Sequence, residues 1–373
     1  MYHLELRDFI LSHENWEELL TTDPYNLKIS RDGDYIMFKY NQISSDFTIP
    51  LVREARGIIF RESDWGCVCE KFTKFGNYGE PYCPDIDWAT ASVQEKVDGS
   101  LIGMFYDNGW HICTNGTIDV FKAELNDVKY QNFGQLTLAA IHQVFEDEHT
   151  FFDMLDPNYT YMFELVSPYN RVVIPYEQIK LYFLGCRDMR TGRELMPEDS
   201  TMSYYFTVPT RYALHSLKDV QNAASKLPWD EEGYVVCDAN FNRVKIKSPS
   251  YVMAHYARNN SVITTDRLVQ IVLDGEQEEF LTYASDYADD LHKIEDAMFD
   301  IAYMATDKMK ELFNAREFET RGAYAREVKQ CPNYMQDFLF HCFDSKIFWD
   351  YTKSWSVDRW VKAINELKGE YLI

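Results

Sequence analysis

Near residue 261 the hydrophobic pattern of this 373-residue chain changes its period, and that change limits the architectures open to it. Before it, apolar residues come in short runs at 35–40, 57–60, 102–106, 161–166, 180–184 and 233–237. Turn signals separate the runs, among them Asp107-Asn108-Gly109 and Asn115-Gly116. Such runs read as strands, and Asp107-Asn108-Gly109 suits a hairpin. Helical spacing interrupts them at 135–145 and 220–226. Beyond residue 261 helical spacing takes over, at 266–273, 276–284, 288–312, 323–330, 334–343 and 357–367, with Gly275, Pro332 and Gly369 as breakers. The expected fold class is α+β, with antiparallel sheets and flanking helices over 1–258 and an all-helical domain over 259–373. The boundary should be a short connection at Arg258-Asn259-Asn260-Ser261, since no low-complexity linker and no internal repeat is present.

Composition supports packed cores: 46% of residues are hydrophobic and 16% aromatic. No run of eighteen apolar residues occurs, so no membrane span is expected, and the N-terminal stretch carries no secretory pattern. The eight cysteines are scattered, with only Cys67 and Cys69 close, and the nine histidines do not cluster. Neither spacing reads as a zinc site or a disulfide framework, which points to a reducing cytoplasm. The net charge is −23, but net charge says little about local distribution. Acids crowd into 274–300, whereas Arg56, Lys71, Lys74, Lys96, Lys245 and Lys247 fall elsewhere. A local basic pocket on an acidic body is therefore expected.

The stretch Gln94-Glu95-Lys96-Val97-Asp98-Gly99-Ser100 places a lysine before a turn. A lysine followed by Xaa-Asp-Gly is a nucleophile signature, although Asp-Gly-Ser alone is also an ordinary turn. A free lysine amine has a pKa of roughly 10.4 and is almost wholly protonated at neutral pH. Nearby cations or desolvation free its lone pair. The alternating run Arg243-Val244-Lys245-Ile246-Lys247 puts Lys245 and Lys247 on one strand face and Val244 and Ile246 on the other. The plain alternative is a strand with a solvated lysine face. Glu164 and Glu232 are acids within apolar runs, and they would serve equally as strand-edge carboxylates facing water.

Taken together these segments resemble the phage RNA ligase 1 family of covalent nucleotidyltransferases. Phe38-Lys39-Tyr40-Asn41, Ala55-Arg56-Gly57-Ile58-Ile59-Phe60 and Lys74-Phe75-Gly76-Asn77 match its segments before the lysine. Phe163-Glu164-Leu165-Val166-Ser167-Pro168-Tyr169-Asn170-Arg171, Glu232-Gly233-Tyr234-Val235 and Lys245-Ile246-Lys247-Ser248 match those after it. The resemblance implies a nucleotidyltransferase domain followed by a helical domain that selects RNA. It implies ATP as cofactor, with AMP carried covalently on Lys96, and Mg²⁺ or Mn²⁺. Lys96, Lys245 and Lys247 would be catalytic; Arg56 and Lys74 would clamp phosphates; Glu95, Asp98, Gly99 and Glu164 would hold the nucleotide. Phe183 and Val235, with Tyr182, would line the adenine slot. Glu232 and Glu164 would serve the metal, and Tyr40, Asn170 and Arg171 would touch nucleotide or RNA. The partner implied is RNA with 5′-phosphate and 3′-hydroxyl ends, with nicked tRNA as the expected substrate, and a monomer is the expected state. One departure stands out. A family member has Ser-Lys-Gly-Ser where this chain has Thr114-Asn115-Gly116-Thr117, so either Asn115 or Lys122 would take over that basic contact.

Two other readings share these residues. A DNA ligase or a capping guanylyltransferase uses the same lysine chemistry, but those enzymes carry a β-rich oligonucleotide-binding barrel after the last motif, where this chain shows helical spacing. A non-catalytic RNA-binding protein could keep the fold without turnover.

Overall fold

The computed structural model describes residues 2–125, 127–257, 263–315, 321–345, 352 and 355–368. The connection expected at Arg258-Asn259-Asn260-Ser261 and the breaker Gly369 lie outside them. The chain divides into two compact units, Met1–His255 and Tyr256–Ile373.

Among the described residues the first unit carries thirteen strands. In chain order they are β1 (Lys28–Asp32), β2 (Tyr35–Lys39), β3 (Arg56–Arg61), β4 (Cys67–Cys69), β5 (Ser92–Glu95), β6 (Ser100–Tyr106), β7 (Trp110–Cys113), β8 (Tyr159–Val166), β9 (Lys180–Asp188), β10 (Glu194–Leu195), β11 (Arg211–Tyr212), β12 (Gly233–Cys237) and β13 (Arg243–Lys247). They form three sheets, ordered β1-β2-β3-β4, β10-β9-β8-β6-β7 and β11-β5-β12-β13, and every pairing between them is antiparallel. The five-stranded sheet holds a core of its own. Ile102, Met104, Phe163, Leu165, Leu181 and Phe183 meet Leu136 and Ile141 of the Phe133–Ile141 helix there. The hairpin expected at Asp107-Asn108-Gly109 joins β6 to β7, with Asn108 and Gly109 at positive φ as a tight turn requires.

The two expected helices of this unit occur with shifted ends. Asn132 caps the first by accepting from Gln135 N, and the helix stops at Ile141 rather than reaching 145. Ser216 caps the second, Leu217–Ala224, in the same way. The strands that patterning overlooked include β1 and β5, whose sequences Lys-Ile-Ser-Arg-Asp and Ser-Val-Gln-Glu carry too few apolar residues to signal a strand.

The second unit is helical: Thr265–Asp274, Gln277–Tyr283, Ala288–Ala315, Arg321–Val328, Asn333–Ser345 and Val357–Lys368. Gly275 ends the first of these in the left-handed region at φ 69°. Leu291, Ile294, Ala297, Ile301 and Ala305 repeat at three- and four-residue steps and are all buried, so the 28-residue helix presents one apolar stripe to its neighbours. Among the described residues no helix is long and apolar enough to cross a membrane.

Candidate active site

Strand pairing in the β11-β5-β12-β13 sheet turns sequence alternation into a grid. Val236, Val244 and Ile246 fill the core beneath one face. The opposite face carries three rows. Val235 sits between Gln94 and Lys245; Cys237 sits between Ser92 and Arg243; Gly233 sits beside Lys247 and accepts a hydrogen bond from Lys96 N at 2.8 Å. Rows two residues apart lie about 7 Å from each other along a strand. Lys96 and Lys247 therefore share one row, and Gln94, Val235 and Lys245 the next. Gly233 has φ 139°, and a Cβ there would lie 2.3 Å from Ile246 O, so only glycine lets the strands meet at this row.

This face forms one wall of a cavity of about 310 Å³, within the range of small-ligand sites. Leu101 and Leu184 line it from the five-stranded sheet, and Arg56, Lys74 and Asn115 from the segments beside β3 and after β7. Of the residues expected in the site, the cavity collects Tyr40, Arg56, Lys74, Glu95, Lys96, Gly99, Glu164, Val235, Lys245 and Lys247. The Lys96 Nζ lies 2.5 Å from Glu232 Oε1, so its immediate partner is a carboxylate rather than the two lysines of β13. Glu232 is buried, and its Oε2 has no hydrogen-bond partner among the described residues. Burial raises the Glu232 pKa, against the lowering pull of Lys96 and Lys247.

Glu164, on β8 and paired across the sheet with Leu101 and Tyr182, is pushed from an ordinary 4.5 up to about 8. Burial is the main cause, opposed by Lys96 and reinforced by Glu232. Between those two values the folded chain holds a proton that the unfolded chain has lost, so stability falls as pH rises through that window. Glu164→Gln cannot ionise. Its thermal midpoint should gain on wild type progressively between about pH 5 and pH 8. An unchanging difference across that range would show that Glu164 does not titrate there.

The phosphate-clamp candidates are held by aromatic rings. The Arg56 guanidinium lies 5.5 Å from the Phe75 ring centroid, and Lys74 Nζ lies 5.0 Å and 4.7 Å from those of Tyr40 and Phe47. Burial pushes the Tyr40 hydroxyl up, but Lys74 and Arg56 outweigh it, and its pKa lies below the ordinary phenol value.

Six expected residues lie elsewhere. Phe183 has no exposed surface; it packs in the core against Phe163 and cannot stack on a base. Tyr182 does not line the cavity either. Asp98 does not open onto the cavity: it is buried, and its Oδ2 accepts from Val173 N and Ile174 N while its Oδ1 accepts from the Tyr251 hydroxyl. It ties the turn after Lys96 to the 167–174 loop, where Asn170 in turn donates to Ser100 Oγ. Asp98→Ala would strand those three donors and should lower unfolding stability by about 2 kcal/mol or more, measured by urea denaturation. A loss within error would show the tie to be dispensable. Lys71 belongs to no basic pocket: it is buried, donating to Gly57 O at 2.6 Å and facing Cys113 Sγ at 3.5 Å. Lys122 pairs with Asp32 and lines a different cavity, so of the two candidates for the missing basic contact only Asn115 reaches the site. Arg171 is exposed and also lies outside the cavity.

Gln94 and Arg243 line the cavity without having been singled out. Both were legible by alternation, two residues before Lys96 and two before Lys245. Arg243 stacks 4.5 Å from the Phe72 centroid and pairs with Glu194 at 2.6 Å.

Comparison with known proteins identifies the family. An RNA ligase family model matches residues 54–251, which hold every residue of the grid. A protein of Autographa californica nuclear polyhedrosis virus, named as a bifunctional polynucleotide kinase/RNA ligase, is 31% identical over 280 residues, covering 69% of this chain and 39% of that protein. The chain thus aligns with about two fifths of that relative's length. The RNA ligase of Rhodothermus phage RM378 is 24% identical, covering 67% of this chain and 70% of its own. A solved archaeal ATP-dependent RNA ligase aligns over 95% of each chain with 14% identity and a TM-score of 0.49. With more than half its length under the family model, the chain belongs to the RNA ligase family.

Proposed function

We propose that this protein is an ATP-dependent RNA ligase that works through a lysyl-AMP intermediate. The observation that carries the reading is the row formed by Lys96, Gly233 and Lys247 at the charged end of the cavity, with Glu232 against the nucleophile. In the first step Lys96 Nζ attacks the α-phosphorus of ATP; a P–N bond forms and the P–O bond to pyrophosphate breaks. The amine must shed a proton, and the buried Glu232 carboxylate at 2.5 Å is placed to take it. Lys247 and Lys245 face the same space and stabilise charge on the α-phosphate. Arg56 and Lys74 bind the outer phosphates. An RNA 5′-phosphate oxygen then attacks the AMP phosphorus, and the protonated lysine leaves. Finally a 3′-hydroxyl attacks the activated 5′-phosphate, sealing the strand and releasing AMP.

The buried carboxylate of Glu232, with an unpartnered oxygen, and the half-buried one of Glu164 would suit a divalent cation that also binds phosphate oxygens and water. When bound, Mg²⁺ or Mn²⁺ would orient pyrophosphate and offset charge in transfer.

In this reading residues 1–258 carry nucleotidyl transfer and the helices of 259–373 select the RNA, for which nicked tRNA is the substrate to test first. A reducing cytoplasm fits the eight free cysteines, and a monomer is the state to test. The experiment is incubation with ATP labelled at the α-phosphate and Mg²⁺, after pyrophosphate treatment to clear any resident AMP. Covalent label that ATP competes away and GTP does not supports the reading. Absence of label would leave a non-catalytic RNA-binding protein.

A further inference from the structure

We propose that Cys69, Cys113 and Lys71 form a peroxide-reactive site, in which oxidation joins the two sulfurs as a disulfide and turns the neighbouring cavity down until the bond is reduced. The covalent step stands on the geometry of the trio alone; its effect on labelling rests on the lysyl-AMP reading above.

Three observations carry it. The sulfurs of Cys69 on β4 and Cys113 on β7 lie 3.7 Å apart, although the two strands belong to different sheets. The second observation is the buried Lys71 ammonium. It donates to Gly57 O at 2.6 Å and faces Cys113 Sγ at 3.5 Å and Cys69 Sγ at 4.0 Å, with no carboxylate beside it among the described residues. A buried charge needs a counter-charge, and here a thiolate supplies it. The hydrogen bond from Cys69 and the charge of Lys71 hold the Cys113 thiol below its ordinary range against burial, whereas burial lifts Cys69. One sulfur is thus set to attack and the other to resolve. The third is the space made for them. Gly103 on β6 stands opposite Cys113, and a Cβ there would lie 2.8 Å from Lys71 Cδ and 2.9 Å from Cys113 Sγ. A glycine within the run Leu101-Ile102-Gly103-Met104-Phe105 leaves room where lysine and thiol meet.

The oxidant is hydrogen peroxide, since the sulfurs have no exposed surface and a bulky disulfide could not reach them. The Cys113 thiolate attacks one peroxide oxygen and the O–O bond breaks. The leaving hydroxide takes a proton from the Lys71 ammonium and departs as water, and Cys113 becomes a sulfenic acid. The Cys69 sulfur then attacks the Cys113 sulfur; the S–O bond breaks, and the oxygen leaves with the Cys69 proton as a second water. The two sulfurs give up two electrons and the peroxide receives them. A transient bond of this kind is compatible with a reducing compartment.

Each member of the trio adjoins a residue of the cavity. Lys71 precedes Phe72, Gly57 follows Arg56, and Cys113 lies two residues before Asn115; Phe72, Arg56 and Asn115 all line it. Gly57 also packs on Asn115, where a Cβ would lie 2.7 Å from Asn115 O. Bridging brings the sulfurs from 3.7 Å to roughly 2.05 Å and leaves Lys71 without its counter-charge. A misplacement of about 1 Å passed on to phosphate-binding groups can cost about 10²-fold in rate.

The test treats the reduced protein with hydrogen peroxide, alkylates the remaining thiols and maps linked peptides by mass spectrometry. Initial rates of covalent labelling are taken before oxidation, after it and after dithiothreitol. Wild type should yield a Cys69–Cys113 peptide and lose about tenfold or more of its labelling rate, and reduction should reverse both. Cys113→Ser should keep its own reduced rate through the same treatment, and Lys71→Met should form the bridge about tenfold more slowly or worse. Absence of the linked peptide, a bridge to another cysteine, or oxidation of Lys71→Met at the wild-type rate overturns the proposal. So does a bridge that leaves labelling unchanged, or an equal loss of rate in Cys113→Ser. No label on reduced wild type brings down the lysyl-AMP reading, while the peptide map still decides the bridge.

Discussion

Lys96→Ala is expected to abolish covalent AMP labelling while the variant still seals RNA that has been adenylylated beforehand. The split follows from the chemistry. Only the first two steps make and break the P–N bond, whereas sealing needs the cations and the RNA grip that remain. The Lys96 backbone N–H bonds to Gly233 O whatever the side chain, so the substitution leaves the strand pairing in place. It also releases Glu232, whose carboxylate would lose its 2.5 Å partner within a buried environment. Some loss of stability should therefore accompany the loss of label, and Lys96→Met beside Glu232→Gln would separate the two effects. Full AMP labelling of Lys96→Ala would remove the nucleophile assignment.

Lys247→Ala should slow lysyl-AMP formation by a factor on the order of 10² to 10³, the usual cost of deleting one group aimed at transition-state charge. Lys247 pairs with Gly233 across the sheet, in the row of Lys96, and its charge reaches Glu232. Single-turnover labelling at saturating ATP is the informative measurement, because it isolates the chemical step from binding. Lys247→Arg should restore part of the rate, since it keeps the charge and changes the geometry. If the alanine variant raised only the KM for ATP, Lys247 would be a binding group with no share in the transfer.

Much of this site could be read before any coordinates. The alternation of Arg243-Val244-Lys245-Ile246-Lys247 assigned one face to cations and one to the core, and the strand obeys it. By the same alternation Arg243 shares the face of the two lysines. The long helices beyond residue 261 were equally plain, because their apolar residues recur at three- and four-residue steps over many turns. Single residues within apolar strands were less legible. Phe183 and Val235 both sit in runs of buried residues, yet one is sealed in the core and the other lines the cavity. The runs read alike because both faces of these strands are covered.

Local order and residue type were enough to settle which segments form strands or helices and which chemical groups the chain offers, since periodicity and side-chain chemistry travel with the residues. Register belonged to the tertiary structure. Pairing β5 with β12 and β12 with β13 decides that Lys96 shares a row with Lys247 and that Gln94 shares one with Val235 and Lys245. A shift of one residue in either pairing would turn every one of those side chains to the other face of the sheet, and nothing local to a strand specifies which partner it will meet.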